Sequence, residues 1–446
     1  MQHTAAVLAV GDELTLGQSL DTNSRHLSAR LLDLGLTPIE HATVPDDLDQ
    51  LVGAMRRLAG IADVVLITGG LGPTADDLTR RALAEATGDE LIEDAEARAH
   101  IEGWYAGRAA KMPESNLVQA LRPRRGRCLP NPHGTAPGLS ASLGVGGRTV
   151  AIFALPGPPR EMRPMLETHV LPALQPDASR TVRTRLLRVF GLGESDVAQR
   201  LGELMSRDRN PLVGTTASLG VVTVRMRYDG AGDGQAAERA LDASEGAVRE
   251  ILGRHSIGPL DLPEAVLGAL GERGETLAVA ESCTGGMLAA SITDLAGASR
   301  VFAGGFFTYS NAAKHAHLGV AESLFPERGG SDAPGAVSAE CALAMARGCL
   351  ERGVLEWAGD RQRPTHTLSV TGIAGPDGGS SAKPVGTVWI ARASSDGSAI
   401  ARRFVLKGDR GTVRAWSVRA ALSCLWAKLA DADDLTLLRE EERREA

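Results

Sequence analysis

The stretch from Leu277 to Lys314, LAVAESCTGGMLAASITDLAGASRVFAGGFFTYSNAAK, determines how the second half of this chain folds. Its apolar start at 277–280 predicts a buried strand, and 281–286 turn through small hydroxyl residues and two glycines into a helical pattern. Such a turn gathers backbone N–H groups at a helix N-terminus, which predicts an anion-binding pocket. A second strand at 301–309 follows, and then a helix capped by Ser310 and Asn311.

Three side chains in this stretch suggest nucleophilic catalysis. Ser299 lies just before the second strand, and Lys314 lies one turn into the next helix, so one strand out and one helix back could return the lysine to the serine. A lysine held neutral by burial can deprotonate a serine, and Tyr309 could steady the proton. The alternative is that Ser299 is a loop cap, Lys314 a solvated helix residue and Tyr309 a core-edge residue. Spacing alone favours this alternative.

Several motifs occur in a fixed order, namely AESCTGG, FTYSNAAK, VTGIAGP and PVGTV. They resemble the C-terminal domain of the CinA family (competence/damage-inducible protein A), which is similar to bacterial nicotinamide mononucleotide amidohydrolase, over roughly residues 262–429. The resemblance implies that Ser299 is the nucleophile, with Lys314 and Tyr309 as its partners. Ala298 stands where a second serine is usual, which raises the weight on Ser299. The resemblance also implies a substrate pocket, with Arg410 and Arg414 as alternative basic contacts, at Ser282, Cys283, Thr284, Gly285, Gly286, Thr371, Gly372, Arg410 and Arg414.

Length and composition bound the class of protein. A chain of 446 residues predicts two or three domains, and 43% hydrophobic with 23% charged residues is typical of soluble globular proteins. The net charge of −7 argues against non-specific binding to nucleic acid or anionic membranes. Five scattered cysteines without a CxxC pair argue against a disulfide framework and a structural zinc. We find no signal-peptide pattern and no long apolar run, so we expect a cytoplasmic protein.

The first part of the chain alternates strand and helix patterns, which predicts a doubly wound α/β domain with its site at the strand ends. A glycine loop follows a continuous apolar strand at 63–68, and two aspartates follow the loop. We predict a phosphate site at Gly69, Gly70, Gly72 and Thr74. Carboxylates that could hold a divalent cation against the phosphates are Asp76, Asp77, Asp12 and Glu13. The alternative is that Asp76 or Asp77 simply caps the next helix.

The motifs VGDELTLGQSLDTNS, ITGGLGPTADDLTR, NPHGTAPG and LPGPPREM resemble the N-terminal domain of CinA proteins, over about residues 4–174. That domain is similar to the molybdopterin-binding fold. The resemblance implies ADP-ribose hydrolysis aided by a divalent metal, such as magnesium, and by potassium. The amidase is expected to need no cofactor.

Between these regions, 183–252 reads as strand, helix, two strands and helix, a small α+β domain that is KH-like in CinA proteins. This segment lacks the GxxG loop that a KH domain needs to bind single strands, so we interpret it as a spacer or dimerisation module. The predicted domains are 1–175, 176–257 and 258–446, the last an α/β amidohydrolase domain. Residues 439–446 form a charged run that predicts a solvated tail.

We therefore expect a hydrolase of the nicotinamide mononucleotide carboxamide, with a second, ADP-ribose-hydrolysing site. The alternatives are a pterin-binding cofactor-assembly protein and a non-catalytic partner of competence proteins. The expected partners are small nucleotide substrates and a second copy in a homodimer, without membrane or nucleic acid.

Overall fold

The computed structural model describes residues 2–106, 111–176, 179–231, 234–353, 355–357 and 360–446, with 355–357 and 360–362 described by their backbone alone. The chain divides into two compact units. One comprises Met1–Arg183 with Tyr228–Arg239, and the other comprises Thr184–Arg227 with Ala240–Ala446. The segment predicted as a small middle domain contributes residues to both units.

The first unit is built on a six-stranded sheet flanked by helices. Its elements in chain order are β1 (Thr4–Val10), α1 (Asp12–Thr15), α2 (Asn23–Asp33), β2 (Thr37–Val44), α3 (Leu48–Ile61), β3 (Val64–Thr68), α4 (Thr79–Ala86), β4 (Leu91–Glu93), α5 (Ala95–Ala106), β5 (Leu121–Pro123), β6 (Arg127–Leu129), β7 (Gly138–Val145), β8 (Arg148–Leu155) and α6 (Pro159–Met165).

The strand order in this sheet is β2-β1-β3-β8-β7-β6, with the first four strands parallel and the last two antiparallel. Alternate residues of β1 enter opposite cores: Val7 packs with Leu31 of α2, and Leu8 packs with Met55 of α3. Every residue of β3 is buried, as expected for a strand covered on both faces. The predicted doubly wound fold is confirmed, and the β7–β8 hairpin is an addition that the sequence patterns did not predict.

The middle segment has the predicted order of elements. It comprises β9 (Arg180–Phe190), α7 (Glu194–Leu201), β10 (Leu212–Ser218), β11 (Val221–Ala231), α8 (Gly234–Leu252) and β12 (Ser256–Gly258). These strands form a four-stranded sheet in the order β10-β11-β9-β12.

The C-terminal part contains a second six-stranded sheet. Its elements are α9 (Leu262–Arg273), β13 (Leu277–Glu281), α10 (Met287–Thr293), β14 (Phe302–Phe307), α11 (Asn311–Leu318), α12 (Pro326–Gly329), α13 (Ala339–Arg352), β15 (Leu355–Trp357), β16 (Asp360–Gln362), β17 (His366–Gly372), β18 (Thr387–Ser394), β19 (Ala399–Val405), α14 (Arg410–Leu429) and β20 (Glu440–Glu445). The strand order is β14-β13-β17-β18-β19-β20.

The register of the parallel strands determines which loops meet. Leu277 pairs with Phe302 at one end of β13, and Glu281 pairs with Phe307 at the other. Since β14, β13 and β17 are parallel, their carboxyl ends lie at one edge of the sheet. The loops that begin at Ser282, Thr308 and Ile373 therefore converge there, while Ser299 precedes β14 at the opposite edge.

The prediction of a solvated C-terminal tail is wrong. Residues 440–445 form β20, which pairs antiparallel with β19 as the outer strand of the sheet. Glu440 anchors this strand, because its Oε2 accepts a 2.8 Å hydrogen bond from Nη1 of Arg402, a side chain with no exposed surface. The segment was not predicted as a strand because all of its residues are charged.

Among the described residues, no helix is long and apolar enough to cross a membrane.

Candidate functional sites

A cavity of about 170 Å³ opens at the carboxyl edge of the second sheet. It collects residues from the loops after β13, β14 and β17 and from the start of α14, as the register requires. The lining residues are Ser282, Cys283, Tyr309, Asn311, Lys314, Ala336, Val337, Thr371, Gly372, Ala374 and Arg410. We refer to this cavity as the Ser282 pocket.

Lys314 is the central side chain of the Ser282 pocket. It lies on α11, it is 1% exposed, and its Nζ lies 3.1 Å from Oγ of Ser282. Its other contacts are two backbone carbonyls, of Thr308 at 2.9 Å and of Tyr309 at 3.2 Å. Burial lowers the pKa of Lys314 from its ordinary value.

This set of contacts suits a neutral amine. A neutral lysine has two N–H groups, which the carbonyls of Thr308 and Tyr309 accept, and one lone pair, which is left facing the hydroxyl of Ser282. Ser282 is itself 8% exposed and is fixed through its backbone N–H, which donates to the carbonyl of Val370 at 3.0 Å. The pair is thus arranged for proton transfer from serine to lysine.

The predicted pairing of Lys314 with Ser299 is wrong. Ser299 is exposed in a short 3-10 turn at Ala298–Arg300, before β14 begins. It is separated from the pocket by the length of β13, and five strand residues span about 16 Å. The helix that carries Lys314 follows the far end of β14, so the lysine returns to the serine after β13 instead.

The predicted anion pocket at the N-terminus of α10 is also wrong. Glu281 is fully buried, and its carboxylate accepts hydrogen bonds from the backbone N–H groups of Gly286, Leu288 and Ala289, at 2.9, 3.1 and 2.8 Å. The helix end is therefore already neutralised by the protein's own carboxylate. The sequence did not predict this interaction of Glu281, because the pattern of a fully buried strand does not indicate where each side chain points.

The other predicted substrate contacts divide into two groups. Thr371, Gly372 and Arg410 line the pocket, whereas Arg414 contacts the turn after β13 from outside, donating to the carbonyls of Cys283 at 3.0 Å and Thr284 at 2.6 Å. Arg414 is thus a positioning residue rather than a pocket residue.

Thr284, Gly285 and Gly286 shape the turn without lining the cavity. Both glycines have positive φ angles, of 57° and 95°, which side chains rarely adopt. The hydroxyl of Thr284 is buried and has no partner among the described residues.

Tyr309 and Arg410 lie at the mouth of the pocket. The tyrosine is 67% exposed, and its hydroxyl accepts a 3.1 Å hydrogen bond from Nη2 of Arg410. Nη1 of the arginine donates to the carbonyl of Gly375 at 2.9 Å. Tyr309 touches Lys314 through its carbonyl, so its side chain is placed to contact a ligand rather than the serine's proton.

Cys283 is a second potential nucleophile beside Ser282. It is 6% exposed, and burial raises the pKa of its thiol to about 11. At neutral pH the thiol is protonated, which makes it a poor nucleophile. This protonation state, together with the contact between Lys314 and Ser282, favours the serine.

In the first unit, a cavity of about 430 Å³ lies at the carboxyl ends of β1 and β3. All four predicted phosphate-site residues line it, and two of them require glycine. A Cβ on Gly69 would lie 2.4 Å from the carbonyl of Val10, and one on Gly70 would lie 2.3 Å from Oγ1 of Thr79. We call it the glycine-loop pocket, and its lining residues are Val10, Gly11, Glu13, Asp46, Gly69, Gly70, Leu71, Gly72, Pro73, Thr74, Asp76, Asp77, Gln119, Thr135, Ala136, Pro156, Gly157, Pro158 and Glu161.

Asp77 lines this pocket and also holds the glycine loop. Its Oδ1 accepts from the N–H of Gly72 at 2.8 Å, and its Oδ2 accepts from the N–H and the hydroxyl of Thr74. The carboxylate thus closes the glycine loop, a role that was not predicted, while its assignment as a metal ligand stays a prediction. The helix-cap alternative is not what occurs, because α4 begins at Thr79 without a side-chain cap.

The remaining carboxylates lie around a residue that the sequence patterns missed, Asp46. Its Oδ2 accepts from the N–H of Asp12 at 3.0 Å, and Oδ1 of Asp12 accepts from the N–H of Asp46 at 3.2 Å. Burial, and then the negative charges of Asp12, Asp76 and Glu13, raise the pKa of Asp46. Asp12 ties two loops together, while Glu13, Asp46 and Asp76 line the pocket.

Glu161, which lines this pocket, and its neighbour Asn131 lie in motifs that carried the resemblance but were given no role. Glu161 is 8% exposed, and its Oε2 accepts a 2.9 Å hydrogen bond from Nδ2 of Asn131, which is 1% exposed. Over the described ranges, no group of three or more His, Cys, Asp or Glu side chains is arranged to hold a metal ion. A cation here would therefore need ligands from its substrate as well.

Comparison with protein families gives three matches along the chain. Residues 6–176 match a probable molybdopterin binding domain, 184–258 match the damage-inducible protein CinA KH domain, and 260–429 match the CinA C-terminal domain.

Full-length relatives are similar along nearly the whole chain. A putative competence-damage inducible protein of Symbiobacterium thermophilum is 41% identical, over 94% of this chain and 97% of the relative. A CinA-like protein of Geobacter metallireducens is 40% identical, over 95% and 98%. Among solved structures, the competence/damage inducible protein CihA of Agrobacterium tumefaciens is 38% identical and covers 37% of this chain and 92% of its own, with a TM-score of 0.33.

Proposed function

This chain belongs to the CinA family, and on that premise, together with the contact between Lys314 and Ser282, we propose that its C-terminal domain hydrolyses the carboxamide of nicotinamide mononucleotide. The products are nicotinate mononucleotide and ammonia. The observation that carries the proposal is a buried lysine whose hydrogen-bond partners are two carbonyls and one serine hydroxyl.

The reaction begins with Lys314 taking the proton of Ser282 as Oγ attacks the carboxamide carbon. The resulting oxyanion is expected beside the backbone N–H group of Cys283, which follows Ser282 and also lines the pocket. The ammonium of Lys314 then protonates the departing NH2 group, which leaves as ammonia. Water, deprotonated by the same lysine, releases the acid and restores Ser282.

Substrate recognition is assigned to the pocket mouth. The cavity of about 170 Å³ accommodates the pyridine ring near Ser282, and the ribose phosphate extends outward. Arg410 is the charged group there, and its guanidinium can exchange the hydroxyl of Tyr309 for a phosphate oxygen.

The test is ammonia release from nicotinamide mononucleotide by purified variants. Ser282→Ala should lower kcat by at least about 10³-fold, because the nucleophile is removed. Ser299→Ala serves as the matched control and should retain wild-type turnover, because its side chain lies at the other edge of the sheet. Loss of turnover in Ser299→Ala with retention in Ser282→Ala would overturn the assignment.

A second activity is proposed for the glycine-loop pocket, namely ADP-ribose hydrolysis with a divalent cation such as magnesium. Its support is the juxtaposition of the glycine loop with Glu13, Asp46 and Asp76. Burial, and then the neighbouring carboxylates, raise the pKa of Asp46. Carboxylate oxygens suit magnesium, which commonly shares protein carboxylates with substrate phosphates. The cation would offset the repulsion between these carboxylates and a pyrophosphate.

This activity is tested by ADP-ribose turnover with magnesium and potassium present, and then after chelation. We expect chelation and Asp46→Asn to abolish turnover while ammonia release from nicotinamide mononucleotide continues, because the two pockets lie in different units. Ser282→Ala should show the reverse pattern. Turnover of ADP-ribose that survives complete chelation would refute the role of the cation.

A further inference from the structure

A third cavity, of about 500 Å³, lies beside the glycine-loop pocket in the first unit. It runs between α5 and the β5–β6 segment, and we call it the α5 cavity. Neither proposed reaction uses it. Its lining residues are Asp94, Glu96, Ala97, His100, Arg122, Gly126, Arg127, Cys128, Pro130, Asn131 and Pro137.

The charged side chains of this cavity differ in whether their charge is already paired within the protein. Asp94 is neutralised, because its carboxylate accepts from Nε of Arg122 at 2.7 Å and from the N–H of Ala97 at 3.0 Å. Arg127 is exposed and lines the cavity, and we find no acceptor for its guanidinium in the described part of the chain. Glu96 is exposed as well and carries the opposite charge. The cavity therefore has one available cation and one available anion.

The surface between these charges is mostly apolar. Ala97, Pro130 and Pro137 contribute hydrocarbon, and the thiol of Cys128 is neutral because burial raises its pKa to about 12. A volume of about 500 Å³ lies within the range of small-molecule sites. This combination fits a ligand with a flat ring, an anionic group for Arg127 and N–H donors for Glu96.

We propose that the α5 cavity binds a nucleoside monophosphate, with the phosphate on Arg127, the ring against Pro130 and Pro137, and an exocyclic amine on Glu96. The guanidinium is suited to a phosphate, which it can grip with two N–H groups.

The site adjoins the glycine-loop pocket through one loop. Asn131 belongs to this loop and lines the α5 cavity. Its side chain bonds to Glu161, which lines the glycine-loop pocket. Nε2 of His100, in the cavity, lies 3.0 Å from the carbonyl of Gly134 in the same loop. A bound nucleotide would therefore rest against the chain segment that shapes the neighbouring pocket.

Cys128 provides a local readout. It is the half-buried cysteine, whereas the other four are buried. We would measure its alkylation by iodoacetamide on the full chain by peptide mass spectrometry, with AMP as the probe and with adenosine and inorganic phosphate as separate arms. At ten times its dissociation constant, AMP should slow alkylation about tenfold, because only the free fraction reacts. Each fragment alone should protect less.

Arg127→Ala should abolish protection by AMP. Arg124→Ala, which removes an exposed arginine paired with Glu90 outside the cavity, is the matched control and should retain it. Equilibrium dialysis in parallel should show one AMP fewer bound to Arg127→Ala than to the wild type. Unchanged alkylation of Cys128 at millimolar AMP, or equal dialysis stoichiometry in the two arginine variants, would overturn the proposal.

Discussion

Lys314 shows how much of its chemistry is set by its immediate surroundings. Within the described residues no carboxylate contacts its Nζ, whose partners are two carbonyls and a hydroxyl, and burial favours the uncharged form. The same side chain on an exposed helix face would be protonated at neutral pH and useless as a base. The fold supplies the reactivity.

This predicts the pH dependence of amide hydrolysis. Below the pKa of Lys314 the amine is protonated and cannot accept the proton of Ser282, so the rate should rise with pH and level off above that pKa. Because burial lowers the pKa, the midpoint of kcat/KM should fall below the ordinary lysine value of 10.5. Lys314→Arg, whose side chain stays charged, should show neither turnover nor this rise of the rate with pH. A wild-type midpoint at or above 10.5 would contradict the assignment of Lys314 as the base.

At the scale of elements, the turn between β13 and α10 depends on Glu281. Its buried carboxylate satisfies three backbone N–H groups at the start of α10. In Glu281→Gln, an NH2 group replaces one of the accepting oxygens and faces a donor. We expect a loss of about 1–3 kcal/mol of local stability, the usual cost of an unsatisfied buried group.

Amide hydrogen exchange at Gly286, Leu288 and Ala289 is the appropriate measurement, because it reports on this helix end alone. These amides should exchange faster in Glu281→Gln, whereas Glu272→Gln, at an exposed position of the same domain, should leave them unchanged. Equal protection in the two variants would show that the carboxylate is dispensable.

The same turn illustrates what could be predicted from sequence. The order of strands and helices followed from apolar periodicity and caps, as at Ser310, whose side chain accepts from the N–H of Ala313. The serine that contacts Lys314 could not be predicted in this way, because spacing along the chain does not show at which end of a strand a loop lies. Ser299 and Ser282 both lie near the lysine in sequence, and only the parallel register of β13 and β14 separates them.

Side-chain direction limited the prediction in the first unit too. The glycine loop and its acidic neighbours were recognisable, but nothing in the sequence shows that the carboxylate of Asp77 accepts from the backbone of its own loop, at Gly72 and Thr74. Asp46 was not predicted as a site residue because it follows β2, whereas Asp12 follows β1. The two aspartates meet only because β1 and β2 are neighbours in the sheet.

At the scale of the whole molecule, the two pockets draw on different parts of the chain. The Ser282 pocket lies wholly within one compact unit and the glycine-loop pocket wholly within the other. This chain thus joins a molybdopterin-binding-like domain and a CinA C-terminal domain, each with a cavity at the carboxyl ends of parallel strands.

The outer strand β20 has a consequence for the solution behaviour of shortened chains. Its charged residues shield β19, whose sequence AIARRFV is mostly buried, and Glu440 neutralises the buried Arg402. A chain that ends at Leu438 would leave β19 as an unpaired, largely apolar edge, which invites strand pairing between molecules. We expect that chain to aggregate on heating or storage, as followed by light scattering, whereas Glu445→Ala should stay dispersed. A monodisperse truncated chain would show that β20 is not needed as a guard against self-association.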